Sequence, residues 1–325
     1  MSGHALALGS VMAGIALAVA IGIALLRKTE WSARLADRPN ERSLHSVPQP
    51  RIGGLVMVPV ILVSVSWLGP GRESSLVLPC ILVLVVSLAD DLNSRPIGVR
   101  LAFQVVAALL AVGSPTPSGL LAALAIVWSC NLYNFMDGAD GLAGGMTAIG
   151  FAALAWVAAS AGHDGLATTC LVVASASLGF LAWNFPPARV FMGDAGSVPL
   201  GFLAGAVSWQ GSAEGAWSLA VPLLAFAPFW IDASATLLRR VARGEKFWTA
   251  HRSHFYQRLV LAGWGHRRLA LSAYLLMLAC ALAAIAISVA SEPVQGAIII
   301  ACALAFGAVG FLVDRRCRVP HEASR

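Results

Sequence analysis

Apolar residues in this chain come in long unbroken runs, not alternating with polar ones. The runs fall at 5–26, 53–68, 75–89, 100–113, 118–133, 142–161, 166–183, 196–210, 217–238, 269–290 and 294–313. A helix needs about 20 apolar residues to cross the hydrocarbon of a bilayer, whereas a barrel strand alternates apolar and polar positions over about 10. The pattern predicts an all-α fold: a polytopic membrane protein of about eleven transmembrane helices, forming a single domain over 1–325. The first run does not read as a cleaved signal, because no basic segment precedes it and Arg27 and Lys28 follow it.

Composition supports the same class. The chain is 58% hydrophobic and 12% charged, with mean hydropathy +0.78. Soluble proteins carry about 25% charged residues, and disorder needs more charge still, so both classes are excluded. The six cysteines form no CxxC pair and read as small buried hydrophobes. Net charge is +6. In a membrane protein this points to basic cytoplasmic loops, not to nucleic acid. With eleven spans, every one of the 22 basic residues except Arg72 falls on one side. The positive-inside rule then puts the N-terminus outside and the C-terminus in the cytoplasm.

The loops on the poorly charged side are short Gly, Pro and Ser turns, so the chemistry should lie in the basic loops. Asp90-Asp91 directly follows an apolar run. Two adjacent carboxylates repel, and a cation or substrate must compensate them, unless they simply face water. The stretch 131–145 places Asn131, Asn134, Asp137 and Asp140 before a glycine cluster. Asp137 and Asp140 would share a face on a helical turn. The glycines would let backbone N–H groups approach a ligand, or serve only as a hinge. No GKS/T follows, which excludes a P-loop. In 184–197, Pro186-Pro187 ends one helix and Gly193-Asp194-Ala195-Gly196-Ser197 opens the next. Asp194 could be an N-cap, or an oxygen ligand for Mg²⁺. The longest loop carries His251-Arg252-Ser253-His254. On a helical turn these residues form an anion-binding patch, and no third ligand is spaced for zinc. A solvated basic face that only fixes topology is the plainer reading. Asp232 is a further intramembrane acid that either supports the site or pairs with a basic neighbour. Carboxylates for a divalent cation and cations for phosphate on one membrane face are the equipment of phosphoryl transfer.

These loops resemble the polyprenyl-phosphate N-acetylhexosamine-1-phosphate transferase family. Asp90-Asp91 resembles its DD motif, Asn131 to Gly145 its NxxNxxDGxDGLAGG segment, and Asn184 to Ser197 its N…FMGDxGS segment. Arg38-Pro39-Asn40 and His45 through Gly54 resemble its first cytoplasmic loop. The match covers most of the chain. His251-Arg252-Ser253-His254 stands where the peptidoglycan enzyme of the family has three histidines, which argues against a muramoyl-pentapeptide substrate. The segment is more like the O-antigen-initiating subgroup.

The resemblance implies transfer of a sugar 1-phosphate from a UDP-N-acetylhexosamine to undecaprenyl phosphate at the bacterial inner membrane, with release of UMP. It implies Mg²⁺, with Mn²⁺ as an alternative, held by Asp194. Asp90 or Asp91 would deprotonate or position the lipid phosphate. Phe191 would stack on uracil, while Asn134, Asn184, Asp137 and Asp140 would hold the nucleotide sugar. His251, Arg252 and His254 would grip phosphates, and Arg51 or His45 would replace a lysine that has no clear counterpart here. A homodimer is left open. The competing classes are a secondary transporter and a lipid-phosphate hydrolase. The first is disfavoured because the ionisable residues gather at one face and not at the midplane.

Overall fold

The computed structural model describes residues 3–37, 47–68, 75–246 and 251–317. Its helices are α1 (Gly3–Leu26), α2 (Glu30–Arg34), α3 (Gly53–Leu68), α4 (Val77–Leu92), α5 (Ile97–Val112), α6 (Pro117–Met136), α7 (Leu142–Ser160), α8 (Asp164–Asn184), α9 (Asp194–Ala213), α10 (Ala220–Ala225), α11 (Ala227–Ala242), α12 (Phe255–Leu261), α13 (His266–Val289) and α14 (Glu292–Arg316). Two short strands, β1 (Ala36–Asp37) and β2 (Gln49–Pro50), pair antiparallel between α2 and α3. The architecture is all-α, as the apolar runs predict.

Each of the eleven runs lies on helix, and the ninth is broken. Phe226 ends α10, and Pro228, which has no N–H to give, sits in the first turn of α11. By length and composition six helices could cross a membrane: α1, α6, α7, α8, α13 and α14. In α7, 78% of its most apolar window is buried inside the protein, against 6% in α14. α7 and α8 form a central hairpin against which α1, α3, α9 and α13 pack. α14 leaves most of its apolar surface outward, which in a bilayer is lipid-facing.

Small residues let the central helices close. A side chain at Gly54 would strike Gly196 N, so the starts of α3 and α9 touch backbone to backbone. Gly144 and Gly145, which the sequence suggests could cradle a ligand, do other work. They lie inside α7, where a methyl group would strike Leu181 and Tyr274. They serve helix packing, because only a hydrogen fits between these surfaces.

Candidate active site

The starts or ends of α3, α4, α5, α6, α7, α8, α9 and α13 meet at one end of the bundle, and their polar residues make the site. The core of the site is the first turn of α9. Gly193 precedes it with φ +76°, a conformation that L side chains rarely adopt. Its backbone turns Asp194 N and Ala195 N towards α4, and Asp91 accepts both, at 3.2 and 2.8 Å. Asp91 is therefore the group that caps α9. The N-cap position belongs to Gly193, with Asp194 the first helical residue, so the capping role read for Asp194 from sequence is corrected. The reason is geometric: the Asp194 carboxylate is left to face the cleft, because the adjacent helix already satisfies its amide.

Asp194 Oδ1 accepts from Asn134 Nδ2 at 2.8 Å, and Asn134 also donates to Ser197 Oγ at 3.2 Å. Arg100 Nη1 lies 2.7 Å from Asp90 Oδ2 and 3.5 Å from Asp194 Oδ2. Asp90 also accepts from Arg95 N. Arg51 Nη1 lies 3.6 Å from Asp91 Oδ1, and Arg51 Nε is buried with no hydrogen-bond partner among the described residues. The Asp91 side chain is 1% exposed and that of Asp194 25%, so Asp194 is the carboxylate that a ligand can reach. Asp137, at the end of α6, is pushed well above the usual carboxylate range by burial and then by the charges of Asp194 and Asp91. Burial and then the Asp91 charge move Asp194 upward as well. These acids crowd one another, an arrangement that a divalent cation would relieve.

A polar cleft of about 50 Å³ opens here, lined by Ser87, Arg100, Gln104, Asn131, Asn134 and Asp194 among others. Arg100 and Gln104 are site residues that the sequence reading missed, having counted Arg100 only as a topological charge. Gln104 Oε1 accepts from Asn131 Nδ2 at 2.8 Å. An Arg and a Gln four apart on an apolar helix were the available signal, since they share one face.

The first loop is laced to this turn. Phe191 N donates to Pro50 O at 2.9 Å, and Gly53 N and Gly54 N donate to Phe191 O and Met192 O at 3.0 and 2.9 Å. Phe191 and Arg51 thus stand side by side in a parallel bridge. His45 lies outside the described residues.

Asp137 and Asp140 do not share a helical face. They fall in the turn between α6 and α7, because Gly138 and Gly141 interrupt the helix, and they part company there. Asp140 Oδ2 accepts from Ala188 N at 3.0 Å, and its Oδ1 lies 3.1 Å from His266 Nδ1. Asn184, 3% exposed, accepts from Gly141 N and donates to Val190 O, both at 2.9 Å. Asn184 and Asp140 therefore bolt three loops together beside the acid cluster.

The histidine segment also departs from the helical turn expected of it. His251, Arg252 and Ser253 are irregular, and His254 is the N-cap of α12. The backbone leaves the helix there because Asp232 of α11 captures the first amides: Phe255 N and Tyr256 N donate to it at 3.0 and 3.2 Å. His254 Nδ1 is 3.2 Å from the same carboxylate. Its ring stacks on Phe135, the residue after Asn134, at 6.1 Å between centroids, and Tyr256 Oη donates to Phe135 O at 2.9 Å. That stacking places the segment beside the acid cluster. Burial, then His254 and Arg240, lower the His251 pKa to about 4 against a smaller pull from Asp232. Arg252 is exposed.

The chain matches the sequence model described as "Glycosyl transferase family 4" over residues 74–212, which contain Asp90, Asp91, Asn134, Asp137 and Asp194. It is 31% identical over 355 aligned positions to the decaprenyl-phosphate N-acetylglucosaminephosphotransferase of Mycolicibacterium smegmatis, covering 91% of this chain and 87% of that one. It is 28% identical over 342 positions to the undecaprenyl-phosphate alpha-N-acetylglucosaminyl 1-phosphate transferase of Escherichia coli, covering 92% and 89%. The probable undecaprenyl-phosphate N-acetylglucosaminyl 1-phosphate transferase of Bacillus subtilis is 27% identical over 283 positions, covering 80% and 79%. Acid-rich helix ends meeting at one site, and relatives matched nearly end to end, place this chain in glycosyl transferase family 4, among the polyprenyl-phosphate sugar-1-phosphate transferases.

Proposed function

We propose that this protein transfers an N-acetylhexosamine 1-phosphate from a UDP-sugar to a polyprenyl phosphate, undecaprenyl phosphate in a bacterial inner membrane, and releases UMP. The observation that carries the reading is the meeting of Asp90, Asp91, Asn134, Asp137 and Asp194 around the α9 turn, with Arg51 and Arg100 beside them. Both substrates are anionic, so their repulsion has to be cancelled before one phosphate oxygen attacks the other phosphorus. Fixed arginines would do this without reorganisation, and a bound divalent ion would supply further neutralising charge.

The donor set suits Mg²⁺. Among the described residues no three carboxylate, imidazole or thiol side chains close into a cage. Mg²⁺ is commonly held by one or two carboxylates, with phosphate oxygens and water completing the octahedron. Asp194 and Asp137 would hold it, and when bound it would neutralise the diphosphate of the donor. Mn²⁺ would suit the same oxygens.

The roles divide by exposure and partner. Asp91 fixes the α9 turn, and Asp90, held by Arg95 N and Arg100, would orient or deprotonate the lipid phosphate. Phe191 and Arg51 sit together, and would take the uracil and its phosphates. Asn184 and Asp140 shape that pocket from behind. Arg252 supplies the permanent positive charge of the histidine segment, since His251 is neutral at neutral pH in the ligand-free protein. The acceptor's prenyl chain needs an apolar path. A crevice of about 400 Å³ between α11, α12, α13 and α14, lined by Phe229, Trp264, Leu276 and Phe306 among others, also has Asp232 on its wall. The acid site at the basic end of the bundle supports a cytoplasmic active site in the eleven-span topology, with the N-terminus outside.

The named activities of these relatives favour N-acetylglucosamine as the sugar, and the histidine segment favours an O-antigen-type N-acetylhexosamine over a muramoyl-pentapeptide. The test is a reconstituted assay with undecaprenyl phosphate, Mg²⁺ and a panel of UDP-N-acetylhexosamines, reading UMP and the mass of the lipid product. Lipid-dependent UMP release is expected. Failure with every donor, or release of inorganic phosphate alone, would refute the transferase.

A further inference from the structure

Asp232 is an 8% exposed carboxylate in α11, with polar partners that come mainly from one loop. Oδ1 accepts from Thr236 Oγ1 at 3.2 Å and Phe255 N at 3.0 Å, and faces His254 Nδ1 at 3.2 Å. Oδ2 accepts from Tyr256 N at 3.2 Å. His254 is 2% exposed and lies between aromatic faces, Phe135 at 6.1 Å and Tyr256 at 5.9 Å, with the His251 ring 4.9 Å away. The imidazole therefore has little freedom to flip, and an acceptor-only carboxylate meets one of its two nitrogens.

We infer that Asp232 is a positioning residue that fixes His254 as the Nδ1–H tautomer, committing Nε2 to the substrate phosphates. A carboxylate cannot donate, so a bond between Nδ1 and Asp232 needs the proton on Nδ1, in competition with Gln257 N, whose capping-box contact to the same side chain needs a bare nitrogen. Nε2 is then the atom left to take a proton and present it as a charge-assisted hydrogen bond to a phosphate oxygen. The same carboxylate anchors the first two amides of α12, so one group sets both the place of the ring and its protonation pattern. Thr236 occupies a further lone pair of Oδ1 and restrains the carboxylate's rotation. The inference rests on the transferase reading for what His254 touches, but the tautomer itself does not depend on it.

The experiment uses the full chain, labelled with ¹⁵N-histidine, in lipid nanodiscs, with the pH raised until the His254 signals stop moving. The His254 signals are identified by their loss in His254→Gln. A protonated Nδ1 and a bare Nε2 are expected in the wild type, with a shift to the opposite tautomer in Asp232→Ala. A bare Nδ1 in the wild type would overturn the inference. In the transferase assay, Asp232→Ala and His254→Gln should each lower kcat/KM by about 100-fold, and the double variant should fall within about threefold of the worse single one. Losses that multiply would mean that Asp232 acts independently of His254, and would also overturn it. Asp232→Asn serves the same cycle if Asp232→Ala accumulates poorly. Its amide can satisfy the imidazole or the α12 amides but not all three, so a partial loss with full coupling is expected, and its absence counts against the proposal. A wild type inactive with every donor would defeat the transferase reading and leave the tautomer measurement to decide this one.

Discussion

Asp91 and Asp194 are held where the ends of α4, α6 and α9 meet, by backbone amides, an asparagine and two arginines. His251, Arg252 and His254 instead precede a helix of seven residues, which Asp232 ties to α11. The acid side inherits its geometry from α9, which packs between α4 and α6. The histidine side hangs on a local cluster at the periphery, near the weakly buried α14. The difference suggests a division of labour. A fixed array suits charge stabilisation at the reacting centre, because donors and acceptors set in advance cost no reorganisation. A tethered loop suits capture of a substrate that must enter and leave.

This contrast can be broken by experiment. The largest effect is expected from Asp194→Asn, whose carboxylate is more open to the cleft than those of Asp90 and Asp91. It should lower kcat by about 10³-fold while leaving the protein inserted and its unfolding temperature within a few degrees. Wild-type-like turnover at saturating Mg²⁺ would remove Asp194 from the centre.

Arg100→Ala comes next. It should lower kcat by about 10²-fold, since a fixed cation is lost beside Asp90 and Asp194. It should also lower the Mg²⁺ concentration giving half-maximal rate, because that guanidinium repels the ion. An unchanged Mg²⁺ dependence would show that Arg100 only braces Asp90.

On the other side of the site, Arg252→Ala should raise KM about tenfold with kcat little changed, as expected for an exposed cation that binds ground state and transition state alike. A loss confined to kcat would put the two sides on the same footing.

The smallest effect concerns His251. Its folded pKa of about 4 lies below the ordinary imidazole value, because burial, His254 and Arg240 outweigh Asp232. Between those two values the unfolded chain binds more protons, so stability is full above about pH 6.5 and is lost as pH falls towards 4. The unfolding temperature of His251→Gln should vary less with pH over that window. Identical pH profiles would contradict the shift.

Much of this was legible in the sequence. Unbroken apolar runs dictate helices whatever their neighbours, because a bilayer offers no partner for a free backbone amide. The gathering of Asp90, Asp91, Asp137 and Asp194 at the ends of apolar runs likewise followed from charge and polarity. The break at Phe226 was hidden, because the run at 217–238 is apolar on both sides of it. Arg100 was hidden too, because its role depends on Asp90 and Asp194 arriving from two other helices.

The sequence by itself therefore determined that this is a helical membrane protein with its polar residues gathered in a few loops, since hydropathy and charge are properties of each residue alone. Only the tertiary structure decided which of those residues open to the cleft and which hold its walls. Asp91 and Asp194, Asp137 and Asp140, and His251 and His254 are alike in kind and close in chain position or motif. They differ in their work because different helices reach each one first and claim its hydrogen bonds.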